Sequence, residues 1–418
     1  MKRKIFTNLL KWKDSPGRFP LLLKGARQVG KSYILQEFGE NEFPDHHIFN
    51  FEQDKKLSAA FESDLNPERI ITELSIHSGK SINIDKDLVI FDEIQECPGA
   101  LTSLKYFSEK MPQLALCCAG SLIGIKLSTG SFPVGKVDLL NLYPMNFEEF
   151  LMAFNDAIAL ELYQHSDSVD THSEIVHQKL WGYLREYYVT GGMPHVVSTY
   201  LTYRDDPAEA MKRARDVQKK LIEGYNNDFA KHSGKTNSMH IVSVFENVPV
   251  QLSTNIEGSV RRYRFKGVIP RKKGYAELQG PIDWLEKAGL IIKVKVCKKA
   301  EIPLESFCRN NMFKLLLFDI GLLGCMLDLP VNLIYSQDYG TTKGYFAENF
   351  VAQEFTASGV SKLYSWTQGA SEIEFLRVIN EALVPVEVKS GTRTQAKSLR
   401  QYILKYSPKR AVKISAKP

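Results

Sequence analysis

The sequence predicts an α/β protein of several domains, with a parallel β-sheet in the first 155 residues. The chain has 418 residues, and a single hydrophobic core stops growing beyond roughly 250 to 300 residues. Short apolar runs alternate with helical stretches, as in a sheet that is buried on both faces. With 44% hydrophobic and 24% charged residues, the chain is an ordinary globular protein rather than a collagen or a disordered acidic tail.

Five short apolar runs are the predicted strands of this first region. They span residues 19–23, 48–51, 88–91, 114–118 and 137–142. Before them, the segment MKRKIFTNLLKWK is basic, but Asn8 and Lys11 interrupt its apolar part and no signal-peptide cleavage site follows. This segment therefore predicts an amphipathic helix of a cytoplasmic protein.

Two general features exclude other classes of protein. No apolar run reaches the roughly 18 to 20 residues that a membrane span needs, so no membrane partner is expected. The six cysteines form no CxxC pair, which predicts reduced thiols rather than a zinc site or disulfides.

A phosphate-binding motif lies between the first predicted strand and the helical stretch SYILQEF. Its residues follow the pattern G-x-x-x-x-G-K-[ST], in which glycines let backbone N–H groups surround an anion. A lysine then contacts the β and γ phosphates, and a hydroxyl binds Mg²⁺. The sequence thus predicts that ATP and Mg²⁺ are bound by Gly25, Ala26, Arg27, Gln28, Val29, Gly30, Lys31, Ser32 and the adjacent Tyr33.

Two acids at the end of the third predicted strand support this prediction. Asp92 would bind Mg²⁺, and Glu93 would act as the general base that polarises water, with Lys31 as the second catalytic residue. Without the phosphate-binding motif, a capped strand end before Pro98 would be the better interpretation. Ser121 follows the next strand, where a γ-phosphate sensor or an ordinary turn is expected. Lys136 and Arg27 are candidates for stabilising charge in the transition state, or simply solvated.

The rest of the chain divides by pattern into three further regions. The predicted domains are an ATPase core at 1–160, a helical lid at 161–233, a basic winged-helix-like module at 234–300 and a mixed α/β domain at 301–418. Residues 261–300 contain twelve Lys or Arg against three Asp or Glu, a local charge of +9. Such a patch predicts contact with the phosphates of DNA, although a solvated surface or a packing module would have a similar composition. The basic residues before the predicted helix are Arg261, Arg262, Arg264, Arg271, Lys272 and Lys273.

The segments GARQVGKS, LVIFDEIQ, VDLLNLYPMNFEEFL and GGMP resemble a family of bacterial and archaeal AAA-type ATPases with a C-terminal domain of long-unknown function. The resemblance implies a core in which the sensor strand lies between the phosphate-binding strand and the strand with the two acids. It also implies a homo-oligomer, because such cores often complete their site with a basic residue of a neighbour. Family members have Gly-Arg before VDLLNL, at a position with a sensor or arginine-finger role. This chain has Gly135-Lys136 there, and a lysine lacks the planar guanidinium fork that such an arginine has.

A second resemblance concerns the C-terminal region. Glu387 and Lys389 lie two apart on a predicted strand, Glu374 comes thirteen residues earlier, and Glu348 lies in a helix. This spacing resembles PD-(D/E)xK nucleases, in which two acids bind a metal and the lysine positions water. Glu374 stands where an aspartate is usual, and its extra methylene shifts the carboxylate. Paired charges on a solvated strand face are the alternative.

The predicted function is Mg²⁺-dependent ATP hydrolysis, with the nucleotide state controlling a DNA-binding and nuclease-like C-terminal half. Three roles for that half remain open at this point. It would be an ATP-regulated nuclease, a DNA-binding switch without cleavage, or a signalling scaffold that binds a protein through an inactive nuclease-like domain.

Overall fold

The computed structural model describes residues 1–121, 135–164, 173–233, 235–254, 262–391 and 396–417. By its internal contacts the chain divides into two compact units, Met1–Tyr143 and Pro144–Pro418. Within the described residues, no helix is both long enough and apolar enough to cross a membrane.

The first unit is built on a parallel sheet. Its described strands are β1 (Leu21–Lys24), β2 (His46–Asn50), β3 (Leu88–Asp92), β4 (Ala115–Gly120) and β5 (Asp138–Asn141). They lie in the order β2-β3-β4-β1-β5, and every neighbouring pair is parallel. All five predicted strands are confirmed, with ends shifted by at most two residues. The order also confirms that the sensor strand β4 lies between β1 and β3.

Helices of the first unit connect these strands. They are α1 (Ile5–Lys13), α2 (Lys31–Glu42), α3 (Pro67–Ser78) and α4 (Pro98–Lys110). The predicted N-terminal helix is α1, which buries Leu9 and Trp12 and leaves its basic residues partly or fully exposed. Because β3 is buried along its whole length, its apolar run carries no alternation. Phe91 of β3 packs edge-to-face against Phe51 and Phe61, at 5.6 and 5.8 Å between ring centroids.

The second unit begins with a run of helices. They are α5 (Phe147–Ala153), α6 (Ala157–Gln164), α7 (Glu174–Thr190), α8 (Pro194–Thr202), α9 (Pro207–Ser233), α10 (Lys235–Thr254) and α11 (Tyr275–Lys287). Asn146 and Glu149 form a reciprocal capping box at the start of α5. The described part of residues 161–233 is mostly helical, with a break at Gly191 and Gly192.

A mixed sheet follows in the second unit. Its described strands are β6 (Ile291–Cys297), β7 (Cys308–Leu317), β8 (Leu363–Gln368), β9 (Ser371–Ile379), β10 (Ala382–Val388) and β11 (Val412–Ile414). The order is β11-β10-β9-β8-β6-β7, with parallel pairs β10/β11 and β6/β8. The accompanying helices are α12 (Ile320–Met326), α13 (Val331–Ser336), α14 (Lys343–Ala357) and α15 (Lys397–Tyr406).

The predicted winged-helix module is only partly recognisable in this unit. Its helix and strand are present as α11 and β6, but β6 also forms hydrogen-bonded pairs with β7 and β8. The predicted boundary after residue 300 therefore falls between two paired strands of one sheet. The winged-helix assignment and the four domain boundaries stay predictions.

The prediction that all six cysteines are reduced thiols is wrong for one pair. Cys297 of β6 and Cys308 of β7 lie opposite each other, with 4.4 Å between Cα atoms, and form a disulfide. The reason is the register of the β6/β7 pair, which spacing along the chain does not reveal. Cys97, Cys117, Cys118 and Cys325 are buried free thiols.

Candidate functional site

The predicted phosphate-binding loop joins the end of β1 to the start of α2. At Gly25 the backbone passes so close to the carbonyl oxygen of Leu142 that a Cβ atom would collide with it. At Gly30, which precedes α2, φ is +93°, a left-handed conformation that favours glycine. Both glycines of the motif are therefore required by the path of the backbone. The loop is also braced from outside, because Arg3 donates hydrogen bonds to the carbonyl oxygens of Val29 and Tyr143.

Lys31 is buried within this loop. Its Nζ donates to the carbonyl oxygens of Gly25 and Ala26, at 3.1 and 2.8 Å. Burial lowers the pKa of Lys31 to about 8, although the charges of Glu93 and Asp92 oppose the shift. The ammonium group thus lies among neutral carbonyl groups, where an arriving phosphate anion would stabilise its charge.

Asp92 is the centre of a hydrogen-bonded group at the carboxyl end of β3. The Ser32 hydroxyl donates to its Oδ1 at 3.0 Å, and the Glu93 backbone N–H donates to the same atom at 3.0 Å. Asn50, at the end of β2, donates from Nδ2 to Oδ2 at 2.9 Å. Ser32 and Asp92, sixty residues apart, are thereby in direct contact.

These groups fit a magnesium ion bound with a nucleotide. Mg²⁺ takes oxygen ligands and binds through one or two protein groups together with phosphates. The Ser32 hydroxyl and the Asp92 carboxylate supply such oxygens at the end of the phosphate-binding loop. Asn50 would orient the carboxylate through its hydrogen bond to Oδ2.

Glu93 adopts an uncommon backbone conformation, with φ +49° and ψ +43°. Non-glycine residues in this left-handed region cost free energy and cluster at functional sites. The Gln95 side chain donates from Nε2 to Glu93 Oε2 and so fixes the direction of the carboxylate. Sequence reasoning found Glu93 but missed Asn50 and Gln95. A polar residue at the carboxyl end of a strand beside β3 was the available signal for Asn50.

The remaining predicted residues of the first unit lie around this group. Arg27 is 3.7 Å from the Glu52 carboxylate, and Gln28 is exposed with φ +66°. Tyr33 is exposed, whereas Ser121 is buried directly after β4. Lys136 forms an ion pair with Glu109 at 3.4 Å, and its role in stabilising transition-state charge stays a prediction.

Comparison with protein families identifies the first unit. Residues 17–151 match the family model described as "AAA domain". These residues form an AAA-type P-loop ATPase domain. Two further models match the rest of the chain, and both are described only as a domain of unknown function: DUF8612 at residues 182–332 and DUF4143 at residues 343–417.

Solved structures similar to the chain include a Walker-type ATPase and two ORC structures. The Walker-type ATPase PABY2304 of Pyrococcus abyssi is 16% identical, with a TM-score of 0.47 over 78% of this chain and 95% of that one. The Drosophila ORC bound to DNA is 14% identical, with a TM-score of 0.28 over 78% and 94%. The Aeropyrum pernix ORC1 protein in complex with DNA is 12% identical, with a TM-score of 0.24 over 79% and 92%. No curated protein sequence matches the chain.

Outside the AAA-type ATPase domain, the predicted nuclease-like residues form a buried cluster. Glu348 of α14, Glu374 of β9 and Glu387 of β10 are all less than 10% exposed. Lys389 forms an ion pair with Glu387 at 2.6 Å, and the Val388 backbone N–H donates to Glu374 at 3.0 Å. Burial raises the pKa of Glu374 to about 8, and the charges of Glu387 and Glu348 act in the same direction.

Lys314, which sequence reasoning missed, lies inside this cluster. Its Nζ donates to Glu348 at 2.6 Å and also contacts the Glu372 carboxylate. Although burial lowers it, the pKa of Lys314 is raised overall by Glu348, Glu372 and Glu374. In the described part of the chain, no three His, Cys, Asp or Glu side chains are arranged to hold a metal ion. The cluster as it stands does not fit a metal, because an ammonium group already lies among its carboxylates.

The basic segment that precedes α11 is mostly exposed. The exposed side chains in it include Arg262, Arg264, Arg271 and Lys273, while Arg261 lies outside the described residues. The Tyr263 backbone N–H donates to the Phe313 carbonyl at 2.8 Å, so the segment runs beside β7. Gln251 makes two hydrogen bonds with the backbone of Arg264, at 2.7 and 2.8 Å. Hydrogen bonds therefore hold the backbone at Tyr263 and Arg264, and the side chains of Arg262 and Arg264 extend from this part of the segment.

Proposed function

We propose that this protein is a Mg²⁺-dependent ATPase whose nucleotide state controls a nucleic-acid-binding C-terminal half. The observation that carries the ATPase part is the contact between Ser32 and Asp92, with Lys31 and Glu93 beside them. These residues come from two segments sixty residues apart, which the parallel sheet brings together at the carboxyl ends of β1 and β3.

Each residue of this group has a distinct part in the proposed reaction. Lys31 would exchange the carbonyl oxygens of Gly25 and Ala26 for the β and γ phosphates of ATP, which gain from its charge. Glu93 would accept a proton from the attacking water at its carboxylate, in the orientation that Gln95 supports. Ser32 and Asp92 would hold Mg²⁺, which neutralises phosphate charge when bound.

Control of the C-terminal half requires that ATP bind one conformation better than another. A ligand with equal affinity for two states shifts neither population. The predicted helical lid at 161–233 is part of this proposal, and we infer that its conformation responds to the γ-phosphate. In a homo-oligomer, a neighbouring subunit would supply a further basic residue to the site.

Binding of nucleic acid is proposed on the basis of the exposed basic segment at 262–273. Arginine and lysine side chains there can contact phosphates without reading bases. A nucleotide-dependent scaffold with an inactive nuclease-like domain is the second candidate. It is favoured by one observation, the ion pair of Lys314 with Glu348 among the predicted metal ligands.

The ATPase part is tested with Lys31→Ala. Loss of a charge-assisted contact costs about 1.5 to 3 kcal/mol, so the affinity for MgATP in a calorimetric titration should fall about 10- to 150-fold. Circular dichroism should be unchanged, and the matched control Lys56→Ala, an exposed lysine of the same unit, should bind as the wild type does. Unchanged affinity in Lys31→Ala would contradict the assignment of the site.

The nucleic-acid part is tested by measuring ATP turnover with single-stranded DNA, duplex DNA and RNA. If the basic segment binds phosphates, affinity should fall steeply with salt, and Arg262→Ala with Arg271→Ala should reduce that slope by about two. Turnover and binding that no nucleic acid changes would favour the scaffold instead.

A further inference from the structure

We propose that Lys314 is a built-in counter-ion that takes the place of a divalent metal in the carboxylate cluster, so that the C-terminal sheet does not cleave nucleic acid by metal catalysis. This inference goes beyond the proposed ATPase and does not depend on it. It concerns a cluster composed of residues of the second unit alone, on α14, β7, β9 and β10.

The charge of the cluster is the first argument. Four carboxylates of the cluster are buried or nearly buried, and two lysines form ion pairs with three of them. The carboxylates belong to Glu348, Glu372, Glu374 and Glu387, and the lysines are Lys314 and Lys389. Because buried carboxylates need a partner of opposite charge, the two lysines supply within the fold part of the positive charge that a metal ion would bring.

The position of Lys314 is the second argument. The residue belongs to β7, where Phe313 and Leu315 on either side are buried, and its own side chain is only 4% exposed. Its Nζ lies 2.6 Å from Glu348, whose side chain is 2% exposed. Its attachment to a paired strand makes Lys314 a fixed part of the cluster.

The space beside Lys314 and Glu348 is also small. The crevice above Lys314 and Glu348 has a volume of about 20 Å³ and is lined by Gln251, Arg262 and Tyr263. A cavity of that size holds about one water molecule. Mg²⁺ demands near-octahedral coordination and usually keeps several waters. A hydrated metal ion is therefore too large for this crevice on the Lys314 side of the cluster, where it would also meet the positive charge of Lys314.

Titration of Mn²⁺ into the full chain without nucleotide tests the proposal directly. The experiment uses the Asp92→Asn background, which removes a metal ligand of the ATPase site. We expect no stoichiometric binding, and no difference when Glu387→Gln is added. A single Mn²⁺ site that Glu387→Gln removes would overturn the proposal.

Replacement of Lys314 gives a second, positive test. In Lys314→Met the carboxylates lose their counter-ion, and Tm should fall on the order of 10 °C. Mn²⁺ should then restore part of the loss, which it should not do for Lys389→Met, whose lysine is partly exposed. An unchanged Tm in Lys314→Met would overturn the proposal. If this variant does not fold, the double variant Lys314→Met/Glu348→Gln, which removes both charges of the ion pair, should fold and recover most of the loss in Tm.

Cleavage is the functional readout. Plasmid and single-stranded DNA incubated with the full chain and Mg²⁺ or Mn²⁺ should stay intact. Products that disappear in Glu387→Gln would show a working metal site and refute the role of Lys314. Intact substrate together with the absence of a Mn²⁺ site would support it, whatever the ATPase assays give.

Discussion

The buried ammonium group of Lys31 predicts that ATP affinity depends on pH in the alkaline range. In the free protein, burial lowers the pKa of Lys31 to about 8. Bound phosphates would favour the charged form and raise that pKa again. The sign follows directly: above pH 8 the free protein has lost a proton that the complex needs, so binding takes up a proton and affinity falls as pH rises.

The size of the effect follows from the same value. If only the protonated form binds, the apparent affinity for MgATP at pH 9 should be about tenfold lower than at pH 7, on the order of 1.4 kcal/mol. Calorimetric titrations in buffers of different ionisation enthalpy would report the uptake of nearly one proton at pH 9. The Lys31→Met variant should bind weakly at both pH values and show no such slope.

A neighbouring lysine provides a matched control. Lys24 is the last residue of β1, and burial also lowers its pKa. Lys24→Met should retain the loss of affinity with pH, because Lys24 does not belong to the predicted set of phosphate contacts. The reasoning would be refuted if Lys24→Met removed the slope, or if wild-type affinity were the same at pH 7 and pH 9.

Two further predictions concern residues that sequence reasoning missed. Asn50→Ala removes the hydrogen bond to Asp92 Oδ2, so ATP turnover should fall about tenfold with the fold retained. The control Asn41→Ala, at an exposed position, should leave turnover unchanged. Equal turnover in Asn50→Ala and wild type would exclude an orienting role for Asn50. Asp319, which is buried and accepts from Leu322 and Gly192, has a pKa raised to about 6. Its contribution to stability should therefore be present below pH 4 and lost as pH rises through 6. The unfolding free energy of wild type relative to Asp319→Asn should drop by about 2.4 kcal/mol between pH 4 and 7 in urea titrations. A difference that is flat with pH would contradict this.

Most of the first unit could be predicted from the sequence because its signals are local. A strand that is buried on both faces is a continuous apolar run, and the strand before Gly25 and the one ending at Asp92 are both of this kind. The left-handed φ of Gly30 is also a local constraint, whereas the close approach at Gly25 involves Leu142, far away in the sequence. The two motifs were therefore enough to predict that Ser32 and Asp92 lie close together.

The second unit was harder because its decisive contacts depend on strand pairing. The β6 strand is apolar and basic in alternation, which suits a wing as well as an edge of a larger sheet. Pairing with β7 places Cys297 opposite Cys308. Pairing with β7 and β8 also joins the residues before and after position 300 in one sheet. The pairing partner of a strand is a long-range property, and nothing in the spacing of residues 291–297 specifies it.

Lys314 shows why a motif can locate a cluster without revealing its chemistry. The spacing of Glu374, Glu387 and Lys389 correctly brought these side chains together, but the group that decides what they can bind comes from β7, about sixty residues earlier. Two buried lysines, Lys31 and Lys314, differ in the direction of their pKa shifts. Lys31, among carbonyl groups, has a lowered pKa and gains from an incoming anion. Lys314 has a raised pKa because its anions are already in place, so its positive charge is used within the fold and is not left for a ligand.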